Sequence, residues 1–243
     1  GQILDNPAYL YGFQANFENY TEIKALVELI KTRNPNGKII LGGPSVATFF
    51  EEVLKNDSDF DAVVLGEGEY TTAELIELLK RDSPAWKLIC GLAWRDESGK
   101  IVTNPPRPAI QDLDAMPFAA RDGIAEDVYD FEGKYVNDAR ITTSRGCTSN
   151  CKFCSVNISM NLQKAKRWRG RSPINVVDEI QELVERYNVK LINLQDSSFD
   201  DPGKRGFARN RIFCEEILKR GLEISIKAYL RAHWIKDDPE CIE

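Results

Sequence analysis

The sequence has almost no histidine: His233 is the single one among 243 residues. A site built on several histidines, whether for proton relay or for zinc, is therefore excluded. No apolar run approaches the roughly 20 residues of a membrane-spanning helix, so no membrane partner is expected. Positive charge is not in excess either. Against 38 acidic residues stand 32 lysines and arginines, a net charge of −6. That is the wrong sign for general polyanion binding, and nucleic acid is an unfavoured partner. Six cysteines are too few for a disulfide scaffold. No signal-peptide pattern is visible, so a reducing compartment, the cytoplasm by default, is the expectation. What is present suits a globular chain: 42% apolar residues, well above the disordered range, and a length fit for one large or two small domains.

The first eighty residues alternate strand and helix signals. Tyr9 to Gln14 is a short apolar run, and Thr21 to Arg33 an amphipathic helix with Ile23, Leu26, Val27 and Ile30 on one face. Lys38 to Leu41 reads as a buried strand ending in Gly42-Gly43. A second helix follows, with Val46, Phe49, Phe50, Val53 and Leu54 as its stripe. Asp61 to Leu65 is a third strand, running into Gly66-Glu67-Gly68-Glu69, and Leu75, Ile76, Leu78 and Leu79 mark a third helix. This order predicts a parallel sheet whose loops after the strand ends form a binding edge. Residues 86–136 break the pattern. Leu88 to Trp94 and Lys100 to Thr103 look like a hairpin turned by Asp96-Glu97-Ser98-Gly99, and the prolines at 105, 106, 108 and 117 read as an extended linker.

From 137 the alternation resumes. Arg140 to Ser144 is a strand. Ser172 with Pro173 is a helix start, with Val176, Val177, Ile180, Leu183, Val184 and Tyr187 on the inner face. Val189 to Leu194 is a strand ending in Gln195-Asp196-Ser197-Ser198. A helix over 207–220 ends at Gly221, and Leu222 to Leu230 is a third strand. Three strands cannot close a barrel.

Between the first of these strands and Ser172 lies Thr143-Ser144-Arg145-Gly146-Cys147-Thr148-Ser149-Asn150-Cys151-Lys152-Phe153-Cys154. The spacing is C-x3-C-x2-C. Three thiolates on one loop suit three irons of a cubane cluster and leave the fourth iron open, as catalytic metal sites leave a position open. Structural zinc would need a distant fourth ligand from Cys90, Cys214, Cys241 or His233. An electron-transfer cluster would usually show four nearby cysteines.

The cysteine spacing, with an aromatic residue (Phe153) before the last cysteine, resembles the radical S-adenosylmethionine (SAM) superfamily. Leu41-Gly42-Gly43-Pro44 and Gly66-Glu67-Gly68-Glu69 resemble its subgroup with an N-terminal cobalamin-binding domain. So do Trp168-Arg169-Gly170-Arg171-Ser172-Pro173 and Gln195-Asp196-Ser197-Ser198-Phe199, and the order of these short motifs is more specific than any one of them. The resemblance implies an α/β chain: a partial Rossmann-like parallel sheet of cobalamin-binding type (1–85), the hairpin and Pro-rich linker (86–136), and a partial (β/α) radical SAM barrel (137–243). It implies a [4Fe–4S] cluster on Cys147, Cys151 and Cys154, whose open iron binds the SAM amino and carboxylate groups. One electron then cleaves SAM to a 5′-deoxyadenosyl radical. Phe153 is expected near the adenine and Arg231 near SAM or substrate. Gln195 and Asp196 are expected near the SAM ammonium or as a strand-end cap for the following loop, and Gly42 and Gly43 near a cobalamin nucleotide tail or as a tight strand-to-helix turn.

The expected reaction is methyl transfer to an unactivated carbon or phosphorus, with rearrangement or oxidative cyclisation, or a non-catalytic iron–sulfur protein, as the alternatives. A methylthiotransferase acting on RNA would normally need a second cluster, and no second cysteine trio exists. Implied partners are a small-molecule or peptide substrate and an electron donor such as flavodoxin or ferredoxin. One departure stands out. Cobalamin domains of this type often carry a D-x-H-x-x-G loop whose histidine can ligate cobalt, and this sequence has none. By the pattern, residues 1–16 correspond to the third strand of such a domain and the later barrel strands are missing, so the chain reads as truncated at both ends.

Glu67 and Glu69 are expected at a cofactor edge or as solvated loop charge. Arg169 and Arg171 read as carboxylate or phosphate ligands or as a solvated basic loop. His233 reads as a surface or packing residue, not an axial ligand.

Overall fold

The computed structural model describes residues 5–79, 85–122, 130–131, 134–135, 138–163, 166–199 and 204–231. His233 and Cys241 lie outside these. The chain divides into two compact units, one of residues 1–110 and 151–165, the other of residues 111–150 and 166–243.

The first unit is built on a five-stranded sheet in the order β1 (Leu10–Gln14), β2 (Lys38–Gly42), β3 (Ala62–Val64), β4 (Leu92–Arg95), β5 (Ile101–Thr103). The first three strands are parallel, as their intervening helices require. β4 and β5 are antiparallel. The hairpin expected in the linker is therefore part of this sheet, which does not stop near residue 85. Side-chain alternation buries both faces. Ile39, Leu41 and Val63 pack with Ile23, Val27 and Ile30 of α1 (Tyr20–Arg33). Ile40, Ala62 and Val64 pack with Leu75 and Leu79 of α4 (Glu69–Leu79) and with Trp86. Strands covered on both faces read as continuous apolar runs, which is what 38–41 and 62–65 show.

The expected second helix is two: α2 (Pro44–Thr48) and α3 (Phe50–Asn56), broken at Phe49. Val46, Val53 and Leu54 are buried, but Phe49 is 45% exposed and packs edge-on against Phe17. The apolar stripe was read through a residue that faces outward.

The second unit carries a parallel three-stranded sheet in the order β12 (Ser225–Lys227), β11 (Leu191–Leu194), β8 (Asp138–Ile141). Two short antiparallel pairs accompany it: β6 (Asp130–Phe131) with β7 (Lys134–Tyr135), and β9 (Ser144–Gly146) with β10 (Trp168–Gly170). Helices α6 (Pro173–Tyr187) and α7 (Lys204–Lys219) cover one sheet face, joining Val176, Val177, Ile180, Phe213 and Ile217 to Ala139, Ile141, Ile192 and Leu194. Burying each large side chain there contributes about 1.5–3 kcal/mol. The helix signals hold. Ser172 Oγ accepts from Asn175 N, Pro173 opens α6, and Gly221, at φ +63, follows α7. The expected strand over 140–144 is instead β8 and β9 with Thr142-Thr143 between them, and the strand expected over 222–230 is regular only at 225–227.

Candidate functional site

All three strands of the second unit's sheet run the same way, so the segments after them share its C-terminal edge, the edge on which barrel enzymes place their sites. Cys147 follows β9, Gln195 and Asp196 follow β11, and Arg231 lies beyond β12.

Asp196 is the anchor of this edge. Its Oδ1 accepts from Thr143 N (2.9 Å), Ser144 N (2.6 Å) and Ser144 Oγ (3.0 Å), and its Oδ2 accepts from Thr143 Oγ1 (2.9 Å). The carboxylate is 4% exposed, and burial raises its pKa even though the hydrogen bonds from Thr143 and Ser144 pull the other way. Both oxygens accept from the segment that enters the cysteine loop, as a strand-end cap would. Gln195, its neighbour, is exposed. Arg209 of α7 donates to Thr143 O and Thr143 Oγ1 (3.2 Å each), and its guanidinium lies over the Trp168 and Phe199 rings.

The loop itself begins at Gly146, whose φ of +90 would strain any other residue. Ser149 N lies 3.5 Å from Cys147 Sγ, a backbone donor aimed at sulfur. Arg231 Nη1 donates to Thr148 Oγ1 (2.6 Å) and Ser149 Oγ (3.2 Å). Arg231 thus meets the loop's own side chains. Arg167 Nη1 donates to the Thr148 and Ser149 carbonyls (3.3 and 3.4 Å) and its Nη2 to Asn150 Oδ1 (3.3 Å).

The boundary between units falls inside this loop, so Cys151, Phe153 and Cys154 belong to the first unit. Cys154 N donates to Cys151 O (3.1 Å), and Cys154 is the N-cap of α5 (Ser155–Leu162). Phe153 is 93% exposed. None of the five described cysteines is in a disulfide; Cys151 is exposed and Cys147 and Cys154 are half-buried. Among the described residues no three His, Cys, Asp or Glu side chains stand ready as a metal-holding group. The donor set, three thiolates within eight residues of chain, fits an iron–sulfur cluster.

In the first unit, Gly43 has φ +118, and a Cβ there would lie 2.7 Å from Ala15 O. A Cβ on Gly42 would meet nothing within 4 Å, so the end of β2 is open to a ligand's approach. Beyond the end of β3 the Gln163 side chain packs on Gly66, and among the described residues its buried Nε2 has no hydrogen-bond partner. Room beside Gly42 and a waiting donor fit a bulky polar cofactor. Residues 2–76 contain no histidine. Glu67 Oε2 accepts from Ile110 N (2.7 Å), which makes it a chain anchor.

Arg169 and Arg171 are not a solvated loop. Arg169 is 7% exposed in β10. Arg171 pairs with Glu179, donates to Thr142 O (3.0 Å) and lies over Phe118. Sequence reasoning missed the roles of Thr143, Ser144, Arg209 and Gln163. Their contacts span up to 97 residues of chain, here from Gly66 to Gln163, and no local pattern announces them.

A sheet covered by helices on both faces and a parallel sheet whose C-terminal edge leads toward a cysteine loop define an α/β class. Residues 2–76 match the B12 binding domain family. An uncharacterized methyltransferase of Pyrococcus horikoshii is 36% identical over 219 residues, 90% of this chain and 44% of the relative. The anaerobic magnesium-protoporphyrin IX monomethyl ester cyclase of Rubrivivax gelatinosus is 31% identical, over 82% of this chain and 34% of the relative. The cobalamin-dependent SAM radical enzyme OxsB, solved with aqua-cobalamin and SAM bound, superposes with a TM-score of 0.74 at 25% identity, over 93% of this chain and 31% of OxsB. These matches agree in pointing to the radical SAM enzymes that carry an N-terminal cobalamin-binding domain, which this chain resembles in both of its units. The chain spans less than half the length of these curated relatives. Among the described residues no helix is long and apolar enough to cross a membrane.

Proposed function

We propose that this chain is the cofactor-holding part of a radical SAM enzyme that transfers a methyl group to an unactivated centre with the help of cobalamin. The observation that carries the reading is that the segment leading into the cysteine loop, residues 143–149, is tied to the C-terminal edge of the parallel sheet through Asp196, Arg209 and Arg231. When bound, a [4Fe–4S] cluster with one iron free of protein ligands supplies the electron that cleaves SAM to a radical, and a corrinoid carries the methyl group.

The chain's own residues do the rest. Cys147, Cys151 and Cys154 supply thiolates. Asp196 holds Thr143 and Ser144, and so fixes where the loop leaves the sheet. Phe153, 93% exposed, offers an aromatic face to an adenine, a contact that would cover it. Gln195, exposed beside the anchored Asp196, is the polar group of that strand end left for the SAM ammonium. Gly42 and Gly43 leave backbone open to a nucleotide tail. Cyclisation or rearrangement is the second reading, supported by the similarity to a protein named as a cyclase.

The test is incubation of the reconstituted intact gene product with SAM and a low-potential reductant. Release of 5′-deoxyadenosine supports the radical SAM reading, and its absence from a cluster-loaded protein overturns it. S-adenosylhomocysteine formed only when hydroxocobalamin is added supports methyl transfer. 5′-Deoxyadenosine without it favours the second reading.

A further inference from the structure

Resting on the cluster reading above, we infer that Arg231, seconded by Arg167, is a positioning residue that clamps the three residues between Cys147 and Cys151 and supplies positive charge to a reduced cluster. Residues 148–150 are where the loop must take up its shape, because Cys147 and Cys151 can present sulfur to one cluster only if the intervening backbone turns correctly. Two guanidiniums from different places in the chain converge on that segment. Arg231, beyond β12, grips both hydroxyls: Thr148 Oγ1 at 2.6 Å and Ser149 Oγ at 3.2 Å. Arg167, just before β10, donates to both carbonyls and to Asn150 Oδ1. Every side chain of the segment and two of its carbonyls are thereby held.

A planar, permanently charged fork suits this task better than an ammonium, since it fixes direction as well as distance. The charge has a second consequence. Reduction adds an electron to an already anionic cluster, and a nearby cation stabilises the reduced form, which raises its potential. A purely structural arginine would stabilise the loop without moving the potential.

The experiment compares the reconstituted chain with Arg231→Met, Arg231→Lys and a Thr148→Val/Ser149→Ala double variant. The readouts are iron release to a chelator, the cluster midpoint potential by EPR-monitored titration, and far-UV circular dichroism. Arg231→Met should release iron about tenfold faster, the scale of one lost charge-assisted hydrogen bond, and its midpoint should move negative. Arg231→Lys should keep the midpoint near that of the parent while still releasing iron faster. The double variant, which leaves Arg231 in place, should release iron as fast as Arg231→Met, and it decides the clamp if Arg231→Met does not fold. An Arg231→Met variant that matches the parent in release and midpoint overturns the proposal alone. So does a lysine variant whose midpoint falls with that of methionine. A parent that takes up no four-iron cluster sinks the cluster reading, and this proposal with it.

Discussion

Asp196 offers a test in which two substitutions at one position should part company. Three of its four hydrogen bonds end on Oδ1, and two of those come from the backbone N–H groups of Thr143 and Ser144, which are 0% and 2% exposed. Alanine removes every acceptor. The hydroxyls of Thr143 and Ser144 can turn elsewhere, but the two N–H groups cannot. A buried unsatisfied donor costs about 1–3 kcal/mol. Relief of the carboxylate's own burial offsets part of the sum, leaving a loss of about 3 kcal/mol. Asparagine keeps Oδ1, and its Nδ2 replaces Oδ2, whose one contact is Thr143 Oγ1, a hydroxyl able to accept as well as donate. Its cost should stay below about 1.5 kcal/mol. Urea denaturation followed by circular dichroism at pH 7 reads both.

The pH dependence adds a second check. Burial raises the folded pKa of Asp196 above its ordinary value of 3.8. The folded state then holds that proton more tightly. The associated stability is present below the ordinary value and lost as pH rises through the raised one. Asparagine lacks this loss, so its deficit against the parent should shrink as pH rises from about 4. An alanine variant within about 1 kcal/mol of the parent, or an asparagine variant as costly as alanine, would refute the anchor.

Three further outcomes are expected. Gly43→Ala forces a Cβ to 2.7 Å from Ala15 O at φ +118 and should lower stability by about 1–3 kcal/mol in thermal or urea unfolding; an unchanged midpoint would mean that the turn relaxes freely. Phe153→Ala should leave stability within about 0.5 kcal/mol, because the ring is 93% exposed, yet weaken SAM binding to the loaded protein in a calorimetric titration. Alanine at Cys147, Cys151 or Cys154 should abolish iron retention while Cys90→Ala and Cys214→Ala keep it, measured as iron per chain; loss in the Cys90 variant would break the three-thiolate assignment.

Local signals carried the elements, and tertiary contacts carried the site. Apolar runs covered on both faces betrayed β2 and β3, and Ser172-Pro173 marked the start of α6 because a cap is a property of neighbouring residues. The cysteine spacing was legible for the same reason. The break at Phe49 was hidden inside an unbroken apolar stripe. β10 was hidden because Trp168-Arg169-Gly170 looks basic and exposed until it pairs with β9, which buries Arg169. The hairpin's allegiance to the first sheet depends on β4 meeting β3 across an antiparallel register, which neither segment encodes alone. Asp196 was picked out correctly as a residue at a strand end. The choice between a cofactor contact and a strand-end cap was not legible, since the groups it accepts from sit 52 and 53 positions earlier in the chain.

The central claim is that three thiolates hold a cluster with one iron left for SAM. Anaerobic reconstitution of the intact gene product with iron and sulfide, followed by EPR of the reduced cluster with and without SAM, tests it most directly. A reduced-cluster signal that changes on adding SAM is the predicted result. A cluster signal indifferent to SAM, or a protein that holds no iron, would contradict the account.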